Sequence, residues 1–337
     1  MAFINPNYEA RHWHHDGKEV VCDLCPHRCR LPDGAFGRCS ARKNVDGKLV
    51  AYSYGRVSSI AVDPIEKKPL YHYHPGSRIF SVGGIGCNMH CRYCQNYSIS
   101  MSSIGKKRTT YKSPEDIVAL CRQQKFDQIA FTYNEPMIWF EYIMDVMQCD
   151  PNLDLVLVSN GLLNEQPLEE LCKVTSAMNI DVKAFNDRFY DIICGAKLDD
   201  VRLACQIVNE AGVHLELTYL VIPGYNDKPE EVTRFVKWVR DALSPDVPVH
   251  FTRFHADYNM MDVSMTPVDT LLRCKALARD NGLNYAYVGN VLADDASDTY
   301  CPECGAVVIR RTGYTVDVVG LDGDRCAYCK HKLNIVP

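Results

Sequence analysis

Residues 78–96 read RIFSVGGIGCNMHCRYCQN. The apolar run from Arg78 to Val82 reads as a strand. Gly83, Gly84 and Gly86 would be costly in a helix, so Cys87, Cys91 and Cys94 fall on a loop leaving that strand. The same three positions are also i, i+4 and i+7, the stripe a buried helix face would show, and unpaired cysteine is a common core residue. The glycines weigh against that bland reading. The spacing C-x3-C-x2-C supplies three thiolates where a [4Fe–4S] cube takes four ligands, which leaves one iron open to bind something else. If that ligand is S-adenosylmethionine (SAM), chelating the open iron through its amino and carboxylate groups, one electron passed to the sulfonium yields a 5′-deoxyadenosyl radical.

Working outward from this loop, strand-like runs alternate with amphipathic helical segments. RIFSVGG precedes Ser113 to Lys125, QIAFTY precedes Met137 to Met147, and DLVLVSN precedes Pro167 to Met178. NIDVKAF leads to a helix around Phe189 and then Val201 to Ala211, LELTYLVI to Glu230 to Ala242, VPVHFTRF to Val268 to Asp280, and YAYVGNV follows. Ser113-Pro114-Glu115-Asp116 combines a serine cap, a first-turn proline and an acid three residues on. Such alternation predicts an α/β fold with a parallel sheet and right-handed crossovers, and too few units are present for a closed eight-fold barrel. The expectation is a partial (β/α)6 TIM-like barrel over 49–296, preceded by a cysteine-rich segment 1–48 and followed by a zinc-ribbon-like unit 297–337.

In such sheets chemistry gathers at the carboxyl ends of the strands. After QIAFT comes Tyr133-Asn134-Glu135-Pro136, where Glu135 is an acid suited to receive a ligand ammonium. Ser159-Asn160-Gly161 follows LVLV, and Asp181-Val182-Lys183 follows NI, its acid and amine on one face by alternation. Each taken alone reads as a turn residue or a surface ion pair. Their occurrence in order after successive strands favours a site able to grip both charges of an amino acid.

These segments resemble the radical SAM superfamily. The resemblance rests on C-x3-C-x-Φ-C with Tyr93 as the aromatic, on a glutamate-proline segment in place of GGEP, and on a D-x-K segment like that of pyruvate formate-lyase-activating enzyme. It implies that the Tyr93 backbone contacts adenine, that the Glu135 region receives the SAM amino group, and that Asp181 and Lys183 contact SAM; Tyr133-Asn134 stands where the family has two glycines. A narrower resemblance covers nearly the whole chain. CDLCPHRC...GAFGRCSAR, AVDPIEKKPLYHYHPGS, YNEPMIWFEY, VIPGYND and TYCPECG are similar to the radical SAM enzymes of the AmmeMemoRadiSam system, a pyruvate formate-lyase activating enzyme-like subgroup. That likeness implies AMMECR-like and Memo-like proteins as candidate partners. The chemistry itself calls for a low-potential electron donor such as flavodoxin or ferredoxin.

Two further cysteine sets flank the barrel. Cys301-x2-Cys304 and Cys326-x2-Cys329 have the spacing of a zinc ribbon, with AVVIRR and YTVDVVG able to pair between the knuckles; zinc is favoured over a rubredoxin-like iron. Cys22-x2-Cys25-x3-Cys29, with Cys39 beyond, offers four thiolates for zinc, for a second cluster, or as unmetallated thiols near the active site. His72, His74 and His255 are read as structural, and Cys121, Cys172, Cys205 and Cys274 as core residues.

Composition is that of an ordinary globular protein, with 47% hydrophobic and 23% charged residues. A net charge of −5 with thinly spread Lys and Arg shows no footprint for nucleic acid. No apolar run suits a bilayer, no secretory signal heads the chain, and 17 cysteines without one argue for metal chemistry in a cytoplasmic setting. The sequence therefore predicts a SAM-cleaving enzyme that abstracts hydrogen from a small molecule or peptide. A glycyl-radical-enzyme activase and a non-catalytic metal-binding interaction module are the alternatives.

Overall fold

The computed structural model describes residues 8–291 and 296–337. Residues 1–7, where the expected cysteine-rich segment and the stretch read for a secretory signal begin, and 292–295, inside the expected 49–296 unit, lie outside the described residues.

Alternating apolar runs and helices build one eight-stranded sheet. Its spatial order is Ala286–Gly289, Val249–Arg253, His214–Val221, Ala177–Asp181, Asp154–Ser159, Gln128–Phe131, Arg78–Gly83 and Ser59–Pro64. Seven strands are parallel, and Ser59–Pro64 runs antiparallel along one edge. The two edge strands do not pair with each other, so the sheet stays open. Helix Pro114–Gln123 packs on Phe140–Cys149, that on Glu165–Cys172, and that on Leu198–Glu210, while Pro229–Ala242 packs on Val268–Asp280. Side-by-side packing in chain order covers one face of the sheet. Side chains alternate accordingly: Leu217, Tyr219 and Phe251 are fully buried in the main core, whereas Thr218, Leu220, His250 and Thr252 line a cavity on the other face.

The expected strand and helix order is present, with two differences. Ser59–Pro64 was not anticipated as a strand; its proline sits where a sheet edge tolerates a missing donor. The helix expected to run to Met178 ends at Cys172, because Thr175 turns its hydroxyl back to the Leu171 carbonyl (2.8 Å) and Ala177–Asp181 enters the sheet.

The N-terminal segment shares the apolar core of the large sheet through Ala10, Val20, Leu24 and Leu31. A buried ion pair pins it there: Arg42 grips both carboxylate oxygens of Glu141 at 2.7 Å. Residues 301–335 have a small core of their own, built on Cys301, Val308, Ile309, Cys326, Leu333 and Ile335, around the hairpin Val307–Thr312 with Thr315–Val318. Among the described residues no helix is long and apolar enough to cross a membrane.

Candidate functional site

A cavity of about 540 Å³ opens at the carboxyl ends of the strands, lined by Cys87, Cys91, Tyr93, Cys94, Glu135, Ser159, Asn160, Asp181 and Lys183. Every residue the sequence placed in the barrel site meets there. The loop carrying the three cysteines follows strand Arg78–Gly83, and its glycines serve close approach: a Cβ on Gly84 would lie 2.8 Å from the Trp139 ring. Backbone amides of His90 and Arg92 are held by the carbonyls of Cys194 and Ile193 (2.8 and 3.0 Å). Those carbonyls belong to a π-turn, Tyr190–Cys194, that ends at Gly195 in the left-handed region.

The thiols sit among donors suited to thiolates. Cys87 Sγ accepts from the Met89 amide at 3.4 Å and from Asn160 Nδ2 at 3.5 Å. Cys91 is shifted down, first by a hydrogen bond from Cys194 and against its burial. Cys87 is pushed well up by burial and then by the Glu135 charge, and burial also raises Cys94, so both need a cation's field to stay ionised. Among the described residues, Cys301, Cys304, Cys326 and Cys329 are the group of metal-binding side chains whose ligand atoms all lie within 4.8 Å of one another. The three loop thiols are spaced more widely, which suits a cube carrying a separate iron for each thiolate and not a single ion.

Glu135 is buried, and three donors converge on it: Met137 N at 3.0 Å, Ser159 Oγ at 2.7 Å and Asn160 N at 2.8 Å. Burial nevertheless outweighs those hydrogen bonds and raises its pKa to about 7. Lys183 Nζ meets Asp181 at 2.5 Å in the cavity wall, where the two are half-buried and not on the outer surface. Burial lowers the Lys183 pKa, but the Asp181 and Cys91 charges more than offset it and the net shift is upward. Tyr93 is buried, with its hydroxyl 3.9 Å from Cys194 Sγ.

The segment standing in place of GGEP keeps the backbone a glycine would give. Tyr133 has φ +77, a left-handed conformation costing a bulky residue roughly 1–3 kcal/mol. Its side chain supplies the compensation: the hydroxyl donates to Asp63 at 2.5 Å and the Lys68 ammonium lies 4.7 Å above its ring. Lys68 itself pairs with Asp63 at 2.6 Å, and burial lowers its pKa to about 8. Burial would raise Asp63, yet hydrogen bonds from Lys68, Tyr133 and Lys67 bring it down, so the pair is ionised at neutral pH.

Several contributors were not singled out from sequence. Asn88, inside the cysteine loop, accepts from Asn160 (2.9 Å) and donates to the Leu162 carbonyl (2.6 Å). Asn134 binds both the Gly84 amide and the Gly86 carbonyl. Lys68, Thr218 and His250 line the cavity. Position within the motif flags Asn88, whereas Cys194 and Lys68 reach the site only through tertiary folding. Of the three histidines, His72 is buried between the Asn334 carbonyl and the Tyr287 hydroxyl, His74 meets the Pro337 carbonyl, and His255 is exposed. Cys22, Cys25, Cys29 and Cys39 stand outside the cavity, behind the cysteine loop. The four C-terminal thiols pair at 3.6 Å (Cys301 to Cys329) and 3.7 Å (Cys304 to Cys326), and the hairpin tip residue Tyr314 lines the cavity.

Comparison with known proteins adds the following. The profile of the Radical SAM superfamily matches residues 82–236. An uncharacterized protein of Methanocaldococcus jannaschii is 38% identical over 325 residues, spanning 95% of this chain and 97% of the relative. The pyruvate formate-lyase 1-activating enzyme of Escherichia coli is 21% identical over 213 residues, or 58% of this chain and 87% of that enzyme. A solved radical SAM methyltransferase from Sphaerobacter thermophilus aligns with a TM-score of 0.49 and 16% identity, over 64% of this chain and 67% of the other.

Proposed function

This chain belongs to the radical SAM superfamily, and from that premise we propose that Cys87, Cys91 and Cys94 hold a [4Fe–4S] cluster whose open iron takes SAM. When bound, the pair supplies one-electron cleavage of the sulfonium to methionine and a 5′-deoxyadenosyl radical, which takes a hydrogen atom from a small-molecule or peptide substrate and leaves as 5′-deoxyadenosine. The observation that supports this reading most is the meeting of a three-thiol loop and a buried acid–amine set on one cavity.

The chain's own residues then have distinct tasks. Glu135, oriented by Ser159 Oγ and the Asn160 amide, would accept a hydrogen bond from the SAM amino group. Asp181 and Lys183 would contact the rest of SAM, and the Tyr93 backbone the adenine. Asn160 would hold Cys87 through its side-chain amide. Reducing equivalents would come from a flavodoxin or ferredoxin. The pyruvate formate-lyase 1-activating enzyme relative keeps a second reading in play, a glycyl-radical-enzyme activase. The whole-chain likeness to AmmeMemoRadiSam enzymes makes AMMECR-like and Memo-like proteins the first partners to test.

At the ribbon we propose zinc: tetrahedral Zn–S bonds of about 2.3 Å place sulfurs roughly 3.8 Å apart, close to the separations of 3.6 and 3.7 Å between its thiols. Anaerobic reconstitution with iron and sulfide, then assay for 5′-deoxyadenosine with SAM and dithionite, tests the cluster. Slow substrate-free formation is expected, with loss in Cys91→Ala. Full activity in that variant would overturn the assignment.

A further inference from the structure

The cysteine-rich N-terminal segment carries a thiol set that the SAM site does not use. Cys22 closes strand Glu19–Cys22, its amide bonded to the Cys29 carbonyl (3.0 Å), and the turn between them holds Cys25, whose carbonyl accepts from Arg28 N (3.1 Å). The chain returns through Gly37, which passes between two sulfurs: a Cβ there would lie 3.8 Å from Cys39 Sγ and 3.9 Å from Cys29 Sγ. Cys29 Sγ also accepts the Arg38 amide at 3.5 Å.

Two features tell this set apart from the ribbon. Its thiols fall outside the 4.8 Å grouping that the ribbon thiols satisfy, although each acts electrostatically on the others, as Cys87, Cys91 and Cys94 do among themselves. No three of these sulfurs lie mutually within 4.8 Å, wider than thiolates gathered on one ion, which leaves room for a polynuclear cluster. A buried donor beside them is also unpartnered. Arg42, whose carbonyl accepts the Gly37 amide (2.9 Å), is fully buried and spends its Nη2 on Glu141, while its Nε–H has no hydrogen-bond partner.

The segment lies directly on the SAM-cluster loop. A Cβ on Gly86 would come within 2.1 Å of the Cys39 carbonyl oxygen, so the residue before Cys87 touches Cys39. His27 Nε2 meets the Asn88 carbonyl at 2.8 Å, and His90 Nε2 meets that of Arg38 at 3.2 Å. On the other side Cys29 is half-exposed and Arg28 and Arg38 are exposed.

We propose that Cys22, Cys25, Cys29 and Cys39 hold a second, four-thiolate iron–sulfur cluster that passes single electrons from a low-potential protein donor to the SAM cluster. The relay role rests on the function proposed above, whereas the site itself does not. The donor loses one electron, the second cluster gains it and hands it to the first across the Cys39–Gly86 contact, and no proton moves.

The test uses the full chain with Cys87, Cys91 and Cys94 all replaced by alanine, which leaves the second set intact. After anaerobic reconstitution about four irons and four sulfides per chain should remain, with a reduced paramagnetic signal that SAM does not alter. Zinc without iron, or no metal beyond that of the ribbon, would overturn the proposal. If wild type makes no 5′-deoxyadenosine while the triple variant keeps its iron, the function is wrong and the second cluster stands. For the relay, the Cys25→Ser/Cys29→Ser chain is compared under dithionite and under reduced flavodoxin. The flavodoxin-to-dithionite rate ratio should collapse to the no-donor control. An unchanged ratio would overturn the relay.

Discussion

Glu135 keeps a carboxyl in a place that disfavours its charge. Its pKa of about 7 against an ordinary 4.5 means that the folded chain holds a proton there which the unfolded chain has already released. Stability from this group is complete below about pH 4.5 and falls as pH rises toward 7, a loss on the order of 3 kcal/mol. Ligand binding should run the other way, because the carboxylate accepts a hydrogen bond from the SAM amino group better than the neutral acid does, and acid also protonates the amine that has to bind iron. SAM affinity of the reconstituted protein is expected to weaken as pH falls from 8 to 6, measured by equilibrium binding at about unit steps. Glu135→Gln should flatten that profile and cost roughly 1–3 kcal/mol of affinity at the alkaline end, with the cluster's absorbance intact. A wild-type profile retained in the glutamine variant would return Glu135 to a purely structural role. Alanine at Asp181 or Lys183 should weaken SAM by a similar amount, since each removes one partner of a charged pair.

At the scale of elements, the cysteine loop is fixed as much by what it packs against as by the strand it leaves. Gly86 combines φ +94 with the Cys39 carbonyl in the space a side chain would take. Gly105 has φ +96 and nothing within 4 Å, so Gly105→Ala isolates backbone strain alone, about 1 kcal/mol. Gly86→Ala should lower both the melting temperature and the iron bound per chain well beyond that control; equal losses would mean the N-terminal segment does not brace the loop. The same contrast explains how far the sequence could be read. Cysteine spacing and strand-end motifs are local, and alternation of apolar runs locates the parallel strands, so Cys87, Glu135, Asp181 and Lys183 were all visible as a set. Edge strand Ser59–Pro64 shows no clean alternation of buried and exposed residues, and the contributions of Cys194 and Lys68 come from residues about 100 and 65 positions away from Cys91 and Tyr133 respectively, beyond the reach of periodicity. The Tyr133 backbone was hidden too, because a left-handed tyrosine is legible only once Asp63 and Lys68 are seen holding it.

At the scale of the whole molecule, the C-terminal unit does more than gather four thiols. It docks through Arg311, whose guanidinium lies 4.3 Å over the Tyr71 ring and donates to the Tyr71 carbonyl (2.6 Å), to Thr299 Oγ1 (2.8 Å) and to the Ser297 carbonyl (3.1 Å). Glu66, fully buried, lies 3.8 Å from Arg311 Nε. A second strap forms where Val336 N bonds the His72 carbonyl and His72 Nδ1 meets the Asn334 carbonyl. Docked this way, the hairpin brings Tyr314 to the cavity wall although the residue is 55% exposed, so the unit shapes the site as well as folding beside it. Removing the anchor should therefore be felt in both places. Arg311→Leu leaves Glu66 as an uncompensated buried charge, and a loss of about 3–5 kcal/mol is expected, read as a lower urea midpoint at pH 7. Arg311→Lys should retain part of that stability, since it keeps a charge without the planar fork that reaches three acceptors. Zinc per chain should stay at the wild-type value in both, because the four thiolates are untouched. Midpoints that match wild type would show that the docking of this unit, and the placing of Tyr314 in the cavity wall, does not depend on Arg311.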